Sequence, residues 1–154
     1  MPNLLPVENT DTDTLGAGET ENEKITGYRQ SISFDFETGD FRRDGANRIV
    51  KSTGHEAWVQ WCIKCLQTQR YAYLAYPDTY GIDIEMVFNT TTRAEAENEL
   101  TRQITEALKA DPLERLSFIE SMTFNWMDDT SVVVDLSLVG IDGNTADFQT
   151  LIAA

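Results

Sequence analysis

The amino-acid sequence predicts an α+β fold: a small, mainly antiparallel sheet with two packed helices, an N-terminal extended arm and a C-terminal β-hairpin. Three observations carry this. Strict alternation from Tyr28 marks a strand, two stretches between residues 55 and 110 repeat at helical spacing, and the last third alternates on both sides of Asp128-Asp129-Thr130.

Residues 1–24 read as an acidic extended arm. They carry Glu8, Asp11, Asp13, Glu19, Glu21 and Glu23 against Lys24 alone, and their few apolar groups include Leu4, Leu5, Val7 and Leu15. Burying so few groups does not offset the entropy of ordering the segment, so the arm is expected to gain its order from a partner. Residues 25–154 read as a single α+β domain, long enough to bury a core without staples.

Within the domain, Tyr28, Gln30, Ile32, Phe34 and Phe36 point one way and the residues between them the other, as in a half-buried strand. Glu37-Thr38-Gly39-Asp40 is a turn, and Phe41 begins a short return. Residues 55–70 form the first helix. Trp58, Val59, Trp61, Cys62, Ile63, Cys65 and Leu66 cover more than half its circumference, leaving Gln60, Lys64 and Gln67 as the polar strip. So wide a stripe implies burial on more than one side, within the core or against a second chain.

Pro77 and the run to Gly81 break the chain, and Gly81 is expected to meet a backbone need. Tyr71, Tyr73, Tyr76 and Tyr80 crowd this stretch, at least two of them expected at a core rim. A second helix runs from Arg93 to Ala110, opened by a Thr92/Glu95 capping box and ended by Asp111-Pro112. Its narrower stripe, Ala96, Leu100, Ile104, Ala107 and Leu108, places it on a surface. In the hairpin, Phe118, Met122, Phe124 and Trp126 share a face with Glu120 as misfit, opposite Val132, Val134, Leu136 and Leu138. Pairing even with even positions requires the three-residue loop 128–130. Phe148, Leu151 and Ile152 read as a short tail.

Charge and composition exclude classes of function. The net charge of −14 repels nucleic acid and anionic membranes. No stretch has the length of a membrane span, and the first residues lack signal-peptide regions, so the chain is expected to be made in the cytoplasm and to leave it only inside a particle. Cys62 and Cys65 spell CxxC, but on the buried arc they read as small hydrophobes; a zinc site needs four ligands and only His55 is near. His55, the one histidine, reads as a solvated residue at a helix start. Pairs such as Asp83/Glu85 or Asp128/Asp129 suit a solvated acidic face better than a sugar-sized cleft. With no phosphate loop or dinucleotide motif, no catalytic residue, metal or cofactor is assigned. Arg42, Arg43 and Arg48, with Lys51, concentrate positive charge before the first helix and are candidates to dock an acidic partner.

Taken together, MPNLLP, SFDFETGDF and LQTQRYAYLAYPDTYGIDIEMVF, followed by a second helix and a hairpin, resemble the baseplate wedge and sheath-initiator proteins of contractile phage tails, the gene-25-like or W-like group. The likeness is sharpest at Arg70-Tyr71, Tyr73, Leu74, Tyr76 and Tyr80-Gly81. It implies a structural subunit of a virion, defective prophage or tail-like bacteriocin. Its partners would be the tail sheath protein, other baseplate wedge subunits and tube or hub proteins, in several copies around a ring. It also implies that sheet edges accept extended sheath arms. Where some members have Glu-Pro-Arg, this chain has Asp111-Pro112-Leu113-Glu114-Arg115. The hairpin, particularly Val132 to Ile141, and the strand Tyr28 to Phe36 are expected to supply or flank such edges, with Val133, Asp135, Val139 and Ile141 as partner contacts, and Leu4 and Leu5 in the arm lying along a neighbouring subunit. Two other readings stay open: a cytoplasmic regulatory binding domain of the same fold, and a cell-wall hydrolase.

Overall fold

A computed structural model describes residues 28–154. The expected arm, with Leu4 and Leu5, lies outside the described residues. The alternating stretch after Tyr28 forms two small ladders rather than one strand: β1 (Ser31–Ile32) pairs with β4 (Lys51–Ser52), and β2 (Phe34–Asp35) with β3 (Asp40–Phe41), both antiparallel. Ser33 is where the chain changes partners. Its N–H donates to the Val50 carbonyl and its own carbonyl accepts from Arg42 N–H, both at 2.9 Å. So short a hairpin cannot cover its own apolar residues, and Ile32, Phe36 and Phe41 stay substantially exposed.

Three helices follow: α1 (Gly54–Gln67), α2 (Ile84–Phe88) and α3 (Arg93–Lys109). Thr53 and Glu56 form a capping box on α1, as Thr92 and Glu95 do on α3. The one-turn α2, capped by Asp83, is absent from the sequence reading because five residues carry too little periodicity. Gly81 has φ of +87°, and a Cβ there would collide with the Thr68 carbonyl; only glycine fits.

The C-terminal sheet has three strands in the order β5 (Leu116–Trp126), β6 (Ser131–Gly140) and β7 (Thr145–Ala153), all antiparallel. The expected hairpin is β5–β6. Trp126 faces Val132 and Phe124 faces Val134, and Met127 N–H bonds to the Ser131 carbonyl, so the loop is the three residues 128–130. Further back, the register shifts twice, each time by one extra residue on β5. Glu120 is one of them. The misfit in the alternation is therefore a bulge, and it reverses the phase behind it: Ile119 packs on the core, while Phe118, expected there, is 54% exposed.

The residues read as a tail form the strand β7, with Ala146, Phe148, Thr150 and Ile152 on the core side. The helices cover this face of the sheet, α1 across β7 and α3 across β5. Trp58, Cys62, Cys65 and Leu66 of α1 meet Leu100, Ile104, Ala107 and Leu108 of α3 over Val132, Val134, Leu136 and Leu138. The α+β class holds, with a third strand added to its hairpin.

Candidate functional site

β6 is the central strand, hydrogen-bonded on both sides, so it offers no free backbone edge. Of the two expected roles for Val132 to Ile141, supplying an edge or flanking one, only the second fits this order. The open margins are β5 and β7, each paired on one side only among the described residues.

These two edges differ. On β7, Gly140 N–H bonds to the Asn144 carbonyl and Ala154 N–H to the Thr130 carbonyl. With the register between them unshifted, even-numbered residues of β7 turn their backbone groups toward β6. Thr145, Asp147, Gln149, Leu151 and Ala153 therefore turn theirs outward. This edge is nine residues long, without bulge, proline or lysine, and Asp147 is its one charged residue. The β5 edge is broken by its two bulges. Bulges protect a sheet margin, and β7 has none, while each of the two edge strands carries a single charge, Glu120 on β5 and Asp147 on β7.

Of the candidate contact residues, Val133, Asp135 and Val139 lie half-buried on the outward face of β6, not at an edge. Asp135 accepts a hydrogen bond from Asn125 Nδ2. Ile141, just past β6, is 48% exposed, its N–H bonded to the Arg115 carbonyl. Arg42, Arg43 and Arg48 are exposed on the N-terminal hairpin, about a turn organised by Asp44, whose Oδ1 accepts from the Ala46 and Arg48 N–H groups at 2.9 Å. None of the three makes an ion pair among the described residues. The structure thus places the candidates in two regions, the sheet and the hairpin.

Two further surfaces come from the fold. The first is the loop between α1 and α2. The buried Arg70 guanidinium donates through Nε to the Gly81 carbonyl and through Nη1 to Glu106 Oε2, both at 3.0 Å, clamping the loop's ends. Tyr76 and Tyr80 stack at 4.3 Å against Trp61 at the core rim. Tyr71 and Tyr73 instead face solvent beside a fully exposed Leu74, and Tyr71 is held at φ +66°, unfavourable for a residue with a Cβ. The crowding of tyrosines signalled this surface in the sequence.

The second is a groove of about 790 Å³ between the N-terminal hairpin and α1, walled by Ile32, Phe34, Phe36 and Phe41 on one side and by Trp61 and Leu113 on the other. Beside it lies the Asp111-Pro112-Leu113-Glu114-Arg115 segment. Arg115 Nε and Nη2 grip the buried Asp111 carboxylate at 2.7 and 3.0 Å, and the guanidinium lies 5.6 Å from the Trp61 ring centroid.

Cys62 and Cys65 are buried free thiols, both pushed up in pKa chiefly by burial, Cys65 to about 11; they are core hydrophobes here. His55 is less solvated than expected. It packs edge-on against Tyr28 and Trp58, with Nδ1 3.6 Å from Asp142 Oδ2. Asp83 caps α2 and Asp128 accepts from Thr130 N–H, so one carboxylate of each candidate pair serves a local backbone turn.

Fold and surface together define a structural class: a small α+β module with a long bare strand at one margin and apolar side chains displayed around a rigid core. Comparison with known proteins makes the class specific. A family model described as contractile injection system sheath initiator matches residues 30–143, and the chain belongs to that family. Phage-like element PBSX protein XkdS of Bacillus subtilis (strain 168) is 37% identical over 95 residues, 60% of this chain and 62% of that protein. The match thus spans less than two thirds of that relative. No helix among the described residues is long and apolar enough to cross a membrane.

Proposed function

We propose that this protein sits in the tail baseplate and starts sheath polymerisation by accepting an extended sheath segment along the outer edge of β7. The observation that carries this reading is the nine-residue, bulge-free margin from Thr145 to Ala153. Backbone groups exposed in a row are a template for another strand, and each added bond contributes a net ~0.5–1.5 kcal/mol. An incoming segment lying beside β7 extends the outward face that Val133, Asp135 and Val139 occupy. Arg42, Arg43 and Arg48 dock an acidic neighbour among the wedge subunits, and Tyr71, Tyr73 and Leu74 supply apolar contact to another. The chain divides into the acidic arm, 1–24, and one domain, 25–154, repeated around a ring.

Proline placed on the bare margin tests this reading. Gln149 turns its N–H away from β6, so Gln149→Pro removes an edge donor and leaves the internal ladder bonded. The expected result is a folded protein, with near-native circular dichroism, that enters baseplates carrying no sheath. Leu151→Pro, also outward, serves as a second variant. Normally sheathed tails from either folded variant would sink the proposal. Deleting residues 131–141 is no substitute, because it removes the central strand.

A further inference from the structure

We propose that the groove between the N-terminal hairpin and α1 is a peptide-binding site. Its ligand is an extended acidic segment of another polypeptide, apolar at alternate positions, which adds to the hairpin as a strand. The site is separate from the β7 edge and stands independently of it.

The groove has a backbone wall as well as an apolar one. Ser33 uses both its N–H and its carbonyl inside the hairpin, on Val50 and Arg42, so the odd-numbered residues of this stretch turn their backbone groups inward. Gln30, Ile32 and Phe34 therefore turn theirs the other way, toward α1. There Phe34 N–H is met by Gln60 Oε1 at 3.3 Å, a side-chain amide standing where the carbonyl of a neighbouring strand would stand. The Ile32 N–H and carbonyl have no partner among the described residues. Beside this margin Ile32, Phe36, Phe41 and Leu113 are between 37% and 43% exposed, a concentration of apolar surface that water solvates poorly. Open backbone next to a row of apolar side chains suits an extended peptide: main-chain bonds hold it, and the apolar row selects its alternate side chains.

Charge selects the occupant. Every ionisable side chain lining the groove is cationic: Arg29, Lys64 and Arg115. Arg115 is committed to Asp111. Lys64 lies over the Tyr76 ring, 5.5 Å from its centroid, which positions the ammonium without supplying a counter-charge. Neither Lys64 nor Arg29 has a carboxylate partner among the described residues. In a chain of net charge −14 this lining is a local reversal of sign, and it favours an acidic segment over a basic one.

Length and form follow from the walls. From Ala57 to Gln67 the groove follows about 15 Å of helix, which an extended stretch of about five residues spans. An incoming helix satisfies its own backbone and would leave the Ile32 groups uncovered, whereas an incoming strand bonds to them. The site also explains the wide apolar arc of α1. One flank of the helix meets the sheet, and Ala57 and Trp61 on the other flank line the groove.

The experiment selects short random peptides on the immobilised full chain and titrates synthetic copies of the enriched sequences. These should alternate apolar residues and carry Asp or Glu. Lys64→Glu and Phe41→Ser, each with unchanged circular dichroism, should weaken binding about tenfold. Replacing the peptide's acidic residue by lysine should restore its binding to Lys64→Glu. Methylating alternate amide nitrogens of the peptide should abolish binding in one phase and spare it in the other, because only one set faces the Ile32 margin. Gln149→Pro, which alters the other margin, should bind the peptides as the native chain does. No enrichment, enriched sequences without acidic residues, equal losses in both methylation phases, or a loss with Gln149→Pro would overturn the assignment. So would self-association of the chain that Lys64→Glu abolishes, since a second copy would then be the occupant.

Discussion

Tyr28 joins three distant parts of the chain. Its hydroxyl donates to Asp142 Oδ1 at 3.0 Å, its ring stacks on Trp58 at 5.5 Å, and Gly140 leaves the room it needs, since a Cβ there would strike the hydroxyl. Burial first, and then the bond to the Asp142 carboxylate, push its pKa from 10.0 to about 12. The unfolded chain gives up this proton at the lower value. The contribution to stability is therefore complete below pH 10.0 and is lost as pH rises through about 12. Thermal midpoints should fall across that window, and Tyr28→Phe should make the fall shallower, with Tyr80, also raised by burial, sustaining the rest. An unchanged slope would show that Tyr28 does not carry the linkage. Asp111 is the second residue of consequence, a buried carboxylate whose removal strands Arg115 beside Trp61. Asp111→Ala is expected to cost roughly 3–5 kcal/mol in denaturant unfolding. A loss within about 0.5 kcal/mol, the usual effect of a surface change, would mean that water solvates the arginine.

At the scale of elements, what the sequence disclosed depended on how many residues shared a period. The two long helices each repeat over several turns and carry capping boxes, so their type and limits were legible to within a few residues. β7 was not. Its core-facing positions are Ala146, Phe148, Thr150 and Ile152, and the small and polar members blur the alternation that its ladder to β6 enforces. Glu120 was legible as an anomaly but not as a bulge, because one inserted residue changes the face of all those behind it and only the partner strand reveals this. The free margin of the sheet was the least legible feature, since reading β7 as a tail hid the strand that leaves β6 central. The loop between α1 and α2 yields a prediction here. Arg70 clamps its ends from a buried position, so Arg70→Met should free Tyr71, Tyr73 and Leu74 while the sheet stays intact. Hydrogen exchange should rise in residues 70–82 and stay low in β6; protection unchanged in the loop would show that Gly81 and the Gln69–Ile82 bridge suffice to hold it.

Across the whole molecule, charge is unevenly shared. Residues 28–54 carry five cations and four carboxylates, whereas residues 55–154 carry six and sixteen. The N-terminal hairpin is thus a cationic cap on an acidic body, and Arg42, Arg43 and Arg48 point into solvent from it. Under the proposed docking to an acidic neighbour, such a dipolar arrangement orients the protein on approach and speeds docking more than it tightens it. Arg42→Glu/Arg43→Glu/Arg48→Glu should leave the fold unaltered, because these side chains pack on nothing that the core requires. Incorporation into particles should drop, and the dependence of incorporation on salt, falling with ionic strength for the native chain, should flatten or reverse for the variant. If incorporation stays native at low salt, the cap plays no part in docking. The work then falls to apolar surfaces and the β7 margin, which ionic strength scarcely touches.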